Sequence, residues 1–216
     1  MIARALAAVC GSVEASLVVA SRGEPVRPEK DAISFPEAAD ALRQAQVFLS
    51  DVTGPPDSDD EQRRLTSTLH ALDHASRLAE TASGGIDFGT VRDGPDDARA
   101  GHLCAEAMRS TISIAGEVAT PPGTGRLPRM APASRDADAT SGAVVISTEE
   151  ALAQLDRCAA ELEELQRSYR SATLGAVANG TLTADAAIVR VDTLRSLEAL
   201  AHHAWRSVAH LVGRGE

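Results

Sequence analysis

The chain has 216 residues and a formal net charge of −10 at pH 7, and 44% of its residues are apolar. That apolar share excludes a disordered tail, and the negative charge, with arginines interspersed among acids, excludes nucleic acid as a general partner. Aromatic residues make up only 2% and alanine is abundant, which favours closely packed helices over sheets.

Three helices are predicted in the first part of the chain. The first extends over about residues 2–20, with apolar side chains at every third or fourth position. The second begins at a capping box formed by Ser34 and Glu37. The third begins at a similar box formed by Ser58 and Glu61 and ends before a glycine-rich loop.

Three further helices follow this loop. The fourth starts near Asp96, and residues 120–142 then lack any period and are rich in Pro, Gly and Ser, which indicates a flexible linker. Ser147 and Glu150 form a third capping box at the start of the longest helix. Thr183 caps the last helix, and no convincing strand pattern interrupts the series.

The three cysteines and the first helix both bear on the cellular compartment. Cys10, Cys104 and Cys158 are far apart and odd in number, so we interpret them as buried apolar residues in a reducing compartment. No segment is expected to span a membrane, because Arg4 and Glu14 interrupt the most apolar stretch before it reaches about 18 to 20 residues. A cytoplasmic location is therefore expected.

The third and sixth helices contain related segments, at 69–75 and 197–204. Both segments have histidine two positions after the same alanine–leucine pair. The predicted fold class is therefore all-α, an antiparallel bundle of about six helices arranged as two three-helix repeats. The first repeat covers residues 1–85 and the second residues 86–216, with the flexible linker at 120–142 inside it.

Four segments have the order and spacing of a known family: 41–43, 69–80, 169–174 and 197–211. On these segments the chain resembles the PhoU-like helical domain, as found at the cytosolic end of bacterial sodium/phosphate cotransporters. The resemblance implies two three-helix repeats and a regulator of phosphate uptake, acting through protein contacts. Its expected partner is a membrane phosphate transporter or sensor protein, at the inner face of the membrane. Whether the chain stands alone or belongs to a longer cotransporter stays open.

The metal-binding motif of this family is an acid followed four residues later by aspartate. Asp73 matches the second acid of that motif, but Leu69 stands at the first position. In the other repeat, Glu198 matches the first acid and His202 stands where aspartate is expected. The chain thus departs from the family's metal-binding pattern in both repeats.

Histidines offer a different candidate metal site. His70 and His74 are an i, i+4 pair, and so are Glu198 and His202, a spacing that can place two ligands on one side of a metal ion. Together with Asp73, these side chains are the candidate ligands of a divalent metal.

Neighbouring arginines favour a second interpretation of the histidines. Arg63 and Arg77 fall on the same side of the third helix as the histidine pair, and Arg195 and Arg206 lie beside His202. Guanidinium groups repel a divalent cation and favour an anion or carboxylate partner. Solvated histidines, or histidines hydrogen-bonded between helices, are therefore favoured over a metal site, and no cofactor is expected.

The sequence contains no nucleophile elbow, phosphate-binding loop or dinucleotide fingerprint, so we predict a protein without enzymatic activity. The leading hypothesis is a PhoU-like regulatory module of phosphate uptake. The alternatives are a metal-binding helical bundle and a helical scaffold that forms a homodimer through the long helix, between Leu152 and Tyr169.

Overall fold

The computed structural model describes residues 1–22, 34–51, 56–120 and 147–215. Over these ranges the chain forms six α-helices, one short 3-10 helix and no strand, which confirms the predicted all-α bundle of six helices. In chain order the helices are α1 (Ile2–Arg22), α2 (Phe35–Ser50), α3 (Asp59–Ser83), α4 (Pro95–Ala119), α5 (Thr148–Ala178) and α6 (Ala184–Leu211), with the 3-10 helix Phe88–Arg92 before α4.

Two of the three predicted capping boxes are confirmed. The backbone N–H of Ser34 donates to Glu37 Oε2 at 3.0 Å, and Ser147 and Glu150 repeat this bond at 3.0 Å. Each box satisfies backbone donors that the first turn of a helix leaves free. At the other end of α5, Gly180 adopts a φ of 72° just after the helix, a conformation that glycine reaches without steric cost.

The start of α3 differs from the prediction. Glu61 N–H donates to Ser58 Oγ at 3.2 Å, so Ser58 does cap the helix. The Glu61 carboxylate, however, accepts from the backbone N–H of Asp57 at 2.8 Å instead of from Ser58. The predicted box is therefore only half formed.

The predicted flexible linker at 120–142 lies outside the described residues from position 121 onward.

The helices pack in pairs across the two predicted repeats. α1 packs most extensively on α4, and α3 packs on α6. α2 contacts α1 and α3, while α5 contacts α4 and α6. Buried side chains from all six helices form a single hydrophobic core, so neither predicted repeat has a core of its own. The division at residues 85 and 86 stays a prediction.

The first helix is more apolar than the sequence analysis allowed. An 18-residue window of α1 has a mean hydropathy of 1.7, so by length and composition this helix could cross a membrane. The expectation that no segment qualifies was wrong, because two charged residues are not enough to disqualify it. In the structure Leu6, Val9 and Leu17 are buried in the bundle core, and core helices of bundles commonly pass the same test.

All three cysteines are free and buried, as predicted. Burial raises the pKa of Cys104 to about 12 and that of Cys158 to about 11. It also raises the pKa of Cys10. A thiol that stays protonated at neutral pH is a poor nucleophile, so these residues fill the core and supply no reactive sulfur.

Candidate functional site

The candidate site lies where α3 and α6 pack against each other in antiparallel orientation. Ala71 and Ala75 on α3 and Ala201 and Ala204 on α6 are fully buried, and the two helices are in extensive contact. The Ser207 hydroxyl donates to the Ala71 carbonyl at 2.8 Å and links the two helices at this level. Side chains that project from the edges of the alanine contact are brought together by the same packing.

Five of the six histidines meet along this contact. The rings of His70 and His210 stack with centroids 4.9 Å apart. The centroid of His74 lies 5.4 Å from that of His203 and 6.2 Å from that of His202. The Nδ1 atoms of His74 and His203 are 3.2 Å apart, so one ring donates a hydrogen bond and the other accepts it. We call this group the histidine cluster.

Burial and the positive charge of neighbouring groups lower the pKa of three members of the histidine cluster, His74, His203 and His210. Burial, followed by the charges of His203 and Arg206, lowers the pKa of His74 to about 4, although Asp73 opposes this effect. Burial is also the main cause that lowers the pKa of His203 and of His210. At neutral pH these rings are therefore uncharged hydrogen-bonding groups.

The lowered pKa values of His74 and His203 predict that acid destabilises the fold. The unfolded pKa of histidine is about 6.5, so the folded chain binds fewer protons at His74 and His203 than the unfolded chain does. The free energy of unfolding is then greatest above pH 6.5 and falls as the pH drops from there toward 4. We expect the urea midpoint, followed by circular dichroism, to be lower at pH 5 than at pH 7.5.

Two histidine variants separate this effect from general acid destabilisation. His74→Gln is expected to reduce the difference between the two midpoints, whereas His102→Gln, at an exposed position on α4, is expected to leave it unchanged. Equal midpoints at pH 5 and pH 7.5, or full pH dependence in the His74 variant, would contradict the prediction.

The structure divides the five predicted metal ligands. His74 and His202 lie together in the histidine cluster, while His70 stacks on His210. Asp73 pairs with Arg77 at 3.0 Å on the exposed side of α3. Glu198 lies half-buried one turn before His202, and burial is the main cause that raises its pKa.

No three of the described His, Cys, Asp and Glu side chains are arranged to hold a metal ion. One pair nevertheless has a suitable separation. Two nitrogen ligands of a tetrahedral zinc ion lie about 3.3 Å apart, close to the 3.2 Å between the Nδ1 atoms of His74 and His203. The metal site of the five predicted ligands stays a prediction, and His203 was not one of those ligands.

A cleft of about 880 Å³ opens beside the histidine cluster. It lies between the first half of α3 and the end of α6 with the short tail that follows. We call it the α3–α6 cleft, and its lining residues are Asp59, Gln62, Arg63, Arg64, Thr66, Ser67, Thr68, His70, Arg206, His210, Leu211, Gly213 and Gly215.

Cations outnumber acids in this cleft. Arg63, Arg64 and Arg206 contribute three guanidinium groups, and Asp59 is the single acid among the described residues of the lining. Arg63 also pairs with Asp60, and both of these side chains are largely exposed. The cleft is therefore a locally positive region on a chain whose net charge is −10.

Sequence reasoning named three members of the histidine cluster and missed two. His203 and His210 are absent from the predicted site because its members were identified by i, i+4 spacing within one helix. Their signal was present in the sequence, since His210 lies two further turns along the face of His202 and His203. The antiparallel register of α3 and α6 decides which rings meet, and a single helix does not carry that information.

Comparison of the chain with protein-family models, with curated proteins and with solved structures gave no match.

Proposed function

We propose that this protein is a PhoU-like regulatory module of phosphate uptake. It acts by docking on a membrane phosphate transporter or sensor protein. The observation that carries the proposal is the packing of α1 on α4 and of α3 on α6, with α2 and α5 each attached to its own half. Helices in equivalent positions of the two halves pair with each other, as the resemblance to a two-repeat family implies.

Exposed apolar side chains at one end of the bundle support a role in protein contacts. Phe48 is 68% exposed, and Met1, Val47 and Val118 are also largely exposed. Met1, Phe48 and Val118 line one shallow depression of about 660 Å³. We call these four residues the apolar end. Exposed apolar groups of this kind are typical of surfaces that bind a partner.

The homodimer through the long helix has less support. Leu155, Leu162 and Tyr169, which form the apolar stripe of α5, are buried within the bundle. A homodimer would have to form through another surface. We therefore propose that the binding partner is a different protein.

Genetic complementation tests the regulatory role. Deleting the gene is expected to raise uptake of radioactive phosphate in phosphate-rich medium, and the intact chain is expected to restore normal uptake. Phe48→Glu places a charge at the apolar end, and we expect it to restore less than half of the regulation. Unchanged uptake in the deletion strain would refute the regulatory role.

A matched variant controls for the added charge. Ile188 is 60% exposed near the start of α6, at the opposite end of that helix from Leu211, which lines the same depression as Phe48. We expect Ile188→Glu to restore regulation fully. If Phe48→Glu restores it equally well, the apolar end is not the docking surface.

A further inference from the structure

We propose that the α3–α6 cleft binds a small organic molecule that carries a phosphate group. The inference does not depend on the regulatory role proposed above, because it rests on the charges and shape of the cleft alone. Of the site residues predicted from the sequence, only His70 lines this cleft.

Two arginines that line the cleft have no acidic partner among the described residues. Arg64 and Arg206 line the cleft, and neither forms an ion pair with another described residue. Eight other arginines of the described chain each pair with an acid, Arg43 and Arg77 among them, and six more have no such pair. Two unpaired guanidinium groups that line one concave surface repel each other, and a bound anion relieves that repulsion.

The guanidinium group of Arg206 is positioned by a contact within the protein. Its guanidinium carbon lies 5.4 Å from the ring centroid of Trp205, within range of a cation–π contact. Arg206 is also partly buried. An arginine fixed before binding loses less conformational freedom when it forms two parallel hydrogen bonds to an oxyanion.

His210, which lines the cleft, has a ring nitrogen without a hydrogen-bond partner among the described residues. His210 is only 7% exposed, and its Nε2 is buried without a hydrogen-bond partner among the described residues. His70 stacks on this ring, and Gly215 lies so close to it that a Cβ atom there would collide with Nδ1. A buried polar atom without a partner is uncommon in a folded protein and often marks a place where a ligand supplies the missing contact.

The size and charge of the cleft select the class of ligand. Its volume of about 880 Å³ lies within the ~300–1,000 Å³ typical of small-molecule sites and exceeds what a bare phosphate ion would fill. A phosphate monoester brings close to two negative charges and three acceptor oxygens. These match the guanidinium groups, and Gln62, Thr66 and Ser67 offer neutral donors for the organic part.

Titration followed by NMR tests the proposal. The full chain is titrated at low ionic strength with glucose 6-phosphate, with inorganic phosphate and with glucose, while the ring signals of His70 and His210 are recorded. We expect both signals to shift with glucose 6-phosphate, to shift less at equal concentration with inorganic phosphate, and not to move with glucose. A concentration of about 20 mM is ample to detect a weak site. The absence of any shift with either phosphate compound at that concentration would overturn the proposal.

Variants show whether the shifts come from the cleft. Arg206→Gln and Arg64→Gln are each expected to weaken binding of glucose 6-phosphate by about tenfold or more. Arg43→Gln removes an exposed arginine of α2 and is expected to have no effect. Arg64 is exposed, so its replacement keeps the fold even if the Arg206 variant does not. Equal affinity in the Arg64 and Arg43 variants would overturn the proposed site, and stronger binding of inorganic phosphate would overturn the organic ligand.

Discussion

Replacing Leu200 with alanine is expected to lower the free energy of unfolding by about 3 kcal/mol. Leu200 is 0% exposed and lies in the single core, on the helix that contacts α3, α4 and α5. Alanine is at least as good a helix former as leucine, so the loss measures packing and not helix propensity. The vacated space would be bordered by several helices that cannot all move inward, which keeps the cost high.

Urea denaturation followed by far-UV circular dichroism measures this loss. Leu174→Ala is the matched control, because Leu174 is on α5 and is 63% exposed. We expect that change to alter the free energy of unfolding by less than about 0.5 kcal/mol. A loss below about 1 kcal/mol for Leu200→Ala would mean that the core closes around the cavity or is less tightly packed than described.

Tyr169→Phe is expected to cost about 2 kcal/mol, although it removes only one oxygen atom. The Tyr169 hydroxyl donates to Asp97 Oδ1 at 2.6 Å, and both side chains are buried. Burial, followed by the bond to Asp97, raises the pKa of Tyr169 to about 12. Phenylalanine would leave a buried carboxylate oxygen without its donor, and an unpaired buried charge is more costly than the bond was favourable.

A second contact between the same helices serves as the control. Arg99 on α4 pairs with Glu161 on α5 at 2.9 Å, but both side chains are about half exposed. Arg99→Gln is expected to change the free energy of unfolding by less than about 1 kcal/mol. Equal losses for the two variants would show that Asp97 is solvated. Tyr169 is the only tyrosine, so an absorbance titration reports its pKa directly.

The sequence predicted the helices well because their ends are local features. The boxes at Ser34 and Ser147 use side chains three residues apart, and no distant contact is needed to form them. The box at Ser58 failed for a local reason as well, since Asp57 N–H lay within reach of the same carboxylate. Helix number and class follow from such signals together with the apolar period.

The candidate site was harder to predict because it depends on the register between helices. The spacing of His70 and His74 is visible within α3, but the stacking of His70 on His210 requires the antiparallel alignment of α3 and α6. The same holds for Arg64 and Arg206, which are far apart in the chain and line one cleft. Buried alanines lie on both helices, and alanine is too common in this chain to identify its partner in advance.

The pairing of α1 with α4 has a consequence for synthesis on the ribosome. The apolar face of α1, including Leu6 and Val9, is fully covered only after α4, the helix that it contacts most, has been made, roughly 100 residues later. At translation rates of about 5–20 residues per second, this takes on the order of 5–20 s. During that interval a helix apolar enough to cross a membrane emerges without its partner. The nascent chain therefore presents a target for chaperones and for membrane-targeting factors before the bundle can form.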